Sequence, residues 1–258
     1  MEEEIMSLAK VYKAELFKVL KKPVTLLLLI CLILPTFYVV SIMSNASHIY
    51  VQGDFDAMLF ASINWNMLTM AGIPEILLAL LITHIFAYEV EQGQIKLMLV
   101  RVCSRKKLFI AKYLVFLTLT IGLYLLFYIF CIILYYLFIV RTPLGNGLFI
   151  AGIESAQYML MDLIYIIQIF IVCNIVVLLG MHYKAFISFM MGIGVTTAFI
   201  VFQFFPSIQY FVPAYIATAV SHMKISNSLA IIMCIVYMII SFIPLILASR
   251  SFDRKDMK

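Results

Sequence analysis

Residues 108–140 read LFIAKYLVFLTLTIGLYLLFYIFCIILYYLFIV, a long apolar run in which Lys112 is the one charged side chain. A bilayer core about 30 Å thick is crossed by about 20 apolar residues of an α-helix. The run therefore predicts a membrane-spanning helix that exceeds one crossing. We expect it to tilt strongly or to extend past the membrane, with Gly122 as a candidate bend.

The whole chain has the composition that this run predicts. Of its 258 residues, 65% are hydrophobic and 12% are charged, against about 45–50% and about 25% in an ordinary soluble domain. A water-soluble enzyme domain is thereby excluded. Five further segments are long and apolar enough to cross a bilayer, and they lie at residues 24–43, 66–88, 158–181, 185–205 and 229–248. We expect an all-α membrane protein, with residues 1–258 forming a single six-span domain.

The distribution of basic residues predicts the orientation of the spans. Sixteen of the 18 Lys and Arg residues fall on one side of the predicted spans, and Arg141 and Lys224 fall on the other. Basic residues are retained in the cytoplasm, so both termini are predicted to be cytoplasmic in a bacterial cell membrane. No basic region precedes a short apolar stretch and a cleavage site, so we expect no cleaved signal peptide.

Residues 5–22, before the first span, have the pattern of an interfacial amphipathic helix. A single arc is predicted to hold Ile5, Leu8, Ala9, Tyr12, Leu16, Val19 and Leu20, and five lysines lie outside it. Val11 and Phe17 do not fit that arc. We expect the helix to lie on the inner leaflet with its lysines toward lipid phosphates, and Pro23 to end it. The alternative is a lysine cluster that only sets topology.

Motifs for catalysis are missing from the sequence. It contains no phosphate-binding GxxxxGK[ST], no HExxH and no GxSxG. The five cysteines have no metal-ligand spacing, and His84 is the one histidine in a predicted span. We therefore expect no catalytic residues, no metal and no cofactor in this chain, and nothing in it suggests nucleic-acid binding.

Two acids fall within predicted spans, at Glu75 and Asp162. If the second span begins at Asn66, Glu75 lies deep in the membrane, where an unpaired carboxylate is costly. If Pro74 begins the helix instead, Glu75 lies in its first turn, close to water and favoured by the helix dipole. Both acids are predicted to mark the outward part of a translocation path; interfacial placement without a substrate role is the alternative.

The most specific stretch lies between the second and third predicted spans, where residues 88–112 read YEVEQGQIKLMLVRVCSRKKLFIAK. It resembles the loop of ABC-2-type exporter permeases, in which a Glu-x-x-x-Gly pattern precedes alternating apolar positions, a Ser-Arg pair and a lysine. The matching positions are Glu89, Gly93, Ile95, Leu97, Leu99, Ser104, Arg105 and Lys112. Gln94 and Val102 depart from the usual threonine and proline.

The resemblance implies the ABC-2, or type V exporter, architecture and a function. The loop would form a short coupling helix that docks on a separate cytoplasmic ATP-binding subunit, which holds ATP and Mg²⁺. A second permease subunit would complete a homodimer or a heterodimer. Residues 206–219 look similar to the family's short hydrophobic hairpin before the last span.

The substrate is expected to be a hydrophobic or amphipathic molecule such as an antimicrobial peptide, as in lantibiotic and bacitracin immunity. Export of sodium, drugs or lipids by the same architecture is one alternative. A membrane anchor or sensor that recruits a cytoplasmic partner without transport is another.

Overall fold

The structure is a computed structural model that describes residues 7–44, 54–102, 104–221 and 225–254. Within these ranges the chain is helical, and one isolated bridge joins Phe55 to Gly145. The α-helices are α1 (Leu8–Leu20), α2 (Pro23–Leu27), α3 (Ile33–Met43), α4 (Ala57–Met70), α5 (Ile73–Ile85), α6 (Ala87–Glu91), α7 (Gln94–Val102), α8 (Arg105–Leu137), α9 (Ile153–His182), α10 (Ala185–Phe202), α11 (Pro213–Ser221) and α12 (Asn227–Arg254). Short 3-10 turns occupy Leu28–Leu32, Ile139–Arg141 and Gln209–Phe211.

Six helical segments of the described chain are long and apolar enough to cross a membrane, as the sequence predicts. They are Pro23–Met43, Ile73–Glu91, Arg105–Arg141, Gln157–His182, Ala185–Phe202 and Asn227–Arg254. The fifth ends three residues before its predicted end, and the sixth is longer at both ends. α8 continues through Gly122 as one α-helix of 33 residues, about 50 Å at the usual helical rise. It therefore extends past a bilayer core or tilts within it.

The second span differs from the prediction of one helix over residues 66–88. The helix α4 ends at Met70, Gly72 adopts φ +71°, and α5 begins at Ile73. Pro74 thus lies in the first turn of a new helix, which agrees with the prediction that the helix begins near Pro74 and not at Asn66. Residues 57–65, which lie between the first two predicted spans, belong to α4, whose Trp65 and Phe60 are buried.

The amphipathic helix exists as α1, and its buried face overlaps the predicted arc in part: Val19 is buried, and Tyr12 and Leu16 pack partly against the core. The buried side chains are Val11, Glu15 and Val19, while Leu8 and Leu20 are exposed. Val11, a misfit in the predicted arc, therefore belongs to the core. This face packs against α8. Ser7 caps the helix by accepting a hydrogen bond from the backbone N–H of Lys10. The predicted Ile5, like the basic residues Lys224, Lys255 and Lys258, lies outside the described residues.

The centre of the bundle is α9, against which α4, α5, α10, α11 and α12 all pack. The stretch predicted as a hairpin over 206–219 forms a 3-10 turn followed by α11, which buries Ile216 and Ala217 against α9 and α12. Five parts of the chain meet at one end of the bundle: the end of α1, the helices α6 and α7, the start of α8, the α9–α10 turn and the end of α12. We call this the loop end.

Candidate functional site

The stretch that carries the family resemblance folds as two short helices at the loop end. Gly93 separates α6 from α7 with φ +69°, a left-handed conformation that glycine adopts without a Cβ clash. A Cβ placed on Gly93 would meet no atom within 4 Å. The glycine is therefore required for the backbone turn and not for close packing.

The helix α7 has an inner face and an outer face. Ile95 and Val102 are buried, and Met98 and Leu99 pack partly against the core. Leu97, in contrast, is 74% exposed, and Lys96 is exposed beside it. Of the three apolar positions of the motif, Ile95 and Leu99 therefore pack against the core, and Leu97 faces outward.

The Ser-Arg pair of the motif organises the start of α8. Ser104 is the N-cap residue, and its hydroxyl accepts a hydrogen bond of 3.4 Å from the backbone N–H of Lys107. The Arg105 guanidinium donates to the backbone oxygen of Asp253 at 2.8 Å. The pair therefore ends the loop and ties the first turn of α8 to the end of α12.

Lys112, the last residue of the motif, lies fully buried on α8. An ammonium group has three donors. Its Nζ donates to Glu15 Oε2 at 2.8 Å, to Glu89 Oε2 at 2.5 Å and to the Ile85 backbone oxygen at 3.2 Å. All three donors are satisfied, so a charge that is costly to bury is held by two carboxylates and a carbonyl.

Glu89, the first residue of the motif, joins Lys112 to Lys18 in the last turn of α1 and to Lys22, which precedes α2. Its Oε1 accepts from Lys22 at 2.6 Å and its Oε2 accepts from Lys18 at 2.8 Å. Lys18 also binds Glu15 and lies 3.6 Å from Met98 Sδ on α7. Burial and the nearby charge of Lys112 lower the pKa of Lys18, against the opposing effect of Glu89 and Glu15.

These five side chains form one cluster, the ion network: Glu15, Lys18, Lys22, Glu89 and Lys112. It links α1, α6 and α8 through charged contacts. Lys18 and Lys22 were predicted to face lipid phosphates; they bind Glu89 because its carboxylate is buried within their reach.

The motif in the sequence predicts Glu89 and Lys112 as site residues but does not predict their partners Glu15, Lys18 and Lys22. A signal was present in the spacing. Val11, Glu15 and Val19 follow one another at i, i+4, so they share a helix face. A carboxylate between two apolar residues on one face, and a lysine within an apolar span, each indicate a partner of opposite charge.

A second polar cluster surrounds Asp162 inside the bundle. The fully buried carboxylate accepts hydrogen bonds from Ser62 at 2.8 Å, Asn66 at 2.9 Å and Tyr124 at 3.4 Å, and a fourth from Tyr128. These donors come from α4 and α8. Asp162 on α9 therefore ties three helices together through four donors.

Glu75 is also fully buried, which differs from the expectation of nearby water. Its Oε1 accepts a 3.4 Å hydrogen bond from Gln168, whose own Oε1 accepts from the backbone N–H of Ala214 at 3.0 Å. Within the described residues Oε2 has no partner. Gln168 thus connects the first turns of two helices, α5 and α11, deep in the bundle.

Comparisons of the chain with protein-family models, curated proteins and solved structures found no match. The described geometry defines a six-span helical membrane protein with a helical loop element held by buried ion pairs.

Proposed function

We propose that this chain is the membrane-spanning permease subunit of an ATP-binding-cassette exporter. ATP hydrolysis is assigned to a separate cytoplasmic subunit that binds ATP and Mg²⁺ and docks on α7. A second permease subunit, identical or related, completes the dimer in the bacterial cell membrane, and both termini of this chain are cytoplasmic.

The observation that carries the proposal is that α7 packs on the protein with one face and exposes the other. Its outer face offers Leu97 and Lys96, while its inner face is fixed by Ile95. An amphipathic helix with an exposed apolar side chain and flanking positive charge suits a groove with apolar walls and an acidic rim. A partner that pushes on α7 acts on the ion network and, through Lys112, on α8.

The charges within the network support transmission of force. Lys112 and Glu89 are both fully buried, so their contact is screened less than a surface ion pair. Separating the two would leave a charge unpaired in an apolar environment, at a cost of about 3–5 kcal/mol. The contact therefore favours movement of α6 and α8 as one unit over sliding of one past the other.

The proposed substrate is a hydrophobic or amphipathic molecule such as an antimicrobial peptide. Aromatic residues make up 14% of the chain, and they offer a peptide apolar walls between two permease subunits. Glu75 and Asp162 are the acids within the proposed path, where a cationic peptide would find a favourable charge. Their burial in one subunit means that such contact requires the helices around them to separate.

Co-purification with the partner tests this proposal. Tagged chain is isolated from membranes of its own host, as wild type and as the variants Leu97→Glu and Leu148→Glu. Leu148 is 54% exposed in the loop that follows α8, at the other end of that helix, so its variant carries the same added charge away from α7. We expect an ATP-binding protein to co-purify with wild type and with Leu148→Glu but not with Leu97→Glu. Equal recovery of that protein with all three chains would refute docking on α7. Co-purification of a kinase or protease instead would favour the alternative of a membrane anchor without transport.

A panel of toxic compounds tests the substrate class. Deletion and complemented cells are compared for sensitivity to cationic antimicrobial peptides, lipophilic dyes and sodium. We expect the deletion to sensitise cells to peptides and complementation to restore resistance. A change in sodium tolerance alone would contradict the peptide assignment while leaving the architecture intact.

A further inference from the structure

Two neighbouring cavities meet at His182 at the loop end of the bundle. The larger, about 440 Å³, is lined by Met181, His182, Ser251 and Arg254. The smaller, about 250 Å³, shares His182 and also contains Glu91 and Lys184. The two adjoin at His182, between the α9–α10 turn, the end of α12 and α6, and we call the pair the His182 groove.

The side chains of the groove offer hydrogen-bond donors and positive charge. Arg254 and Lys184 are exposed, and neither has an ion-pair partner in the part of the chain that the structure describes. Ser251 Oγ lies 3.4 Å from His182 Nε2. Glu91 is the acid of the lining, and its Oε2 already accepts a 3.0 Å hydrogen bond from the backbone N–H of Ala185. The Arg254 guanidinium and the Ser251 hydroxyl line the larger cavity and the Lys184 ammonium lines the adjoining one, and such donors suit a phosphate.

The position of the groove favours a phosphate that belongs to a lipid. α9 ends at His182, α10 begins at Ala185 and α12 ends at Arg254, so the groove lies where apolar helices leave the membrane. Apolar side chains next to it in these helices face outward: Phe186 is 72% exposed and Leu247 is 44% exposed. The side chains that can donate hydrogen bonds to a phosphate suit the headgroup of a phospholipid, and the exposed apolar surface beside them suits its acyl chains.

We propose that the His182 groove binds the headgroup phosphate of an anionic phospholipid, with Arg254 and Lys184 as its charged contacts. The bound lipid joins the ends of α9 and α12 to the start of α10. It thereby braces the face of the bundle next to α6. This inference does not depend on the exporter proposal, because it concerns the isolated chain.

The test measures binding of phosphatidylglycerol to the purified, delipidated chain by thermal stabilisation in detergent. The double variant Arg254→Gln/Lys184→Gln is compared with Lys13→Gln/Arg141→Gln. The four residues are all exposed, and both double variants lose two positive charges. We expect the groove variant to weaken phosphatidylglycerol binding roughly tenfold and the control variant to leave it within about twofold. Equal weakening in both would overturn the proposal, because it would mean attraction by surface charge alone.

Two further arms identify the source of the phosphate. Inorganic phosphate and phosphatidylcholine are titrated in the same assay, and both are expected to stabilise the chain less than phosphatidylglycerol. If inorganic phosphate stabilises it as much, the ligand is free phosphate and the lipid assignment is wrong. If the groove variant binds phosphatidylglycerol normally but loses a co-purifying protein, the groove instead takes an acidic segment of that partner.

Discussion

Asp162 illustrates how a single buried side chain fixes three helices. Its carboxylate faces only hydrogen-bond donors, from Ser62, Asn66, Tyr124 and Tyr128. A carboxylate is an acceptor-only group with room for about four such bonds. Three of the four donors are hydroxyl groups, which can also accept a hydrogen bond, but only a carboxylate lets all four donate at once.

The substitution Asp162→Asn should destabilise the folded chain although it preserves size. The new amide NH₂ cannot accept, so the three hydroxyls that donate to Oδ2 lose their shared acceptor, and we expect a loss of about 1–3 kcal/mol of stability. The thermal unfolding midpoint in detergent measures this. Asp253→Asn is the matched control, because Arg105 binds the backbone oxygen of Asp253. If Asp162→Asn unfolds like wild type but fails in transport, the carboxylate serves the translocation path and not the scaffold.

Lys112 should be the most sensitive member of the ion network. Lys112→Met removes the ammonium that Glu15 and Glu89 share, and we expect a loss of about 3 kcal/mol. Lys106→Met, an exposed lysine on the same helix, should stay within about 0.5 kcal/mol of wild type. Adding Glu89→Gln to Lys112→Met should cost less than the sum of the two single losses. Strict additivity would show that the two side chains are not energetically coupled.

At the scale of the element, the break between α4 and α5 depends on Gly72. Its φ of +71° is a left-handed conformation, and a Cβ there would lie 2.9 Å from Thr196 Cγ2 and 3.0 Å from Ile200 Cδ1 on α10. The break starts a new helix at Ile73 and so brings Glu75 to a first turn beside Gln168. Both the backbone conformation and the close approach of α10 therefore require glycine.

Gly72 and Gly93 form a matched pair for a test. Both have positive φ, so alanine at either costs roughly 1 kcal/mol or slightly more for the backbone alone. Only at Gly72 does the added methyl meet neighbouring atoms. We expect Gly72→Ala to lower the unfolding midpoint clearly more than Gly93→Ala. Equal shifts would mean that α10 yields to the methyl group without cost.

Elements made of long apolar runs could be predicted from the sequence, and elements with mixed polarity could not. Hydropathy alone locates α8 and α10 to within a few residues. It misses α4, because Ser62, Asn64 and Asn66 give that helix a polar character whose hydrogen-bond partners appear only in the folded bundle. The predicted arc of α1 left out Val11 and Glu15, and Glu15 is buried because it binds Lys112 on α8.

The candidate site was predictable only in part for the same reason. Glu89 and Lys112 stand out by their positions in the motif, and the structure brings them into direct contact. Their partners on α1 come from a distant part of the sequence, so no local pattern pairs them. Gln168 likewise connects Glu75 to α11 through contacts that only tertiary packing creates.

On the scale of the whole molecule, charged contacts concentrate at the loop end. The ion network joins α1 to α6 and α8, Arg105 joins α8 to α12, and Glu91 caps the start of α10. Side-chain contacts thus connect the loop end to four of the six spans. This arrangement is compatible with the proposed permease, which a partner docked on α7 would drive.

The most direct test is ATP hydrolysis by four samples in lipid: the chain alone, the ATP-binding partner alone, the two mixed after separate purification, and the same mixture with the Leu97→Glu chain. We expect no hydrolysis by the chain alone and clear stimulation of the partner in the wild-type mixture. With Leu97→Glu we expect the rate to fall to that of the isolated partner. Hydrolysis by the chain alone, or an undiminished rate with Leu97→Glu, would contradict a permease driven through α7.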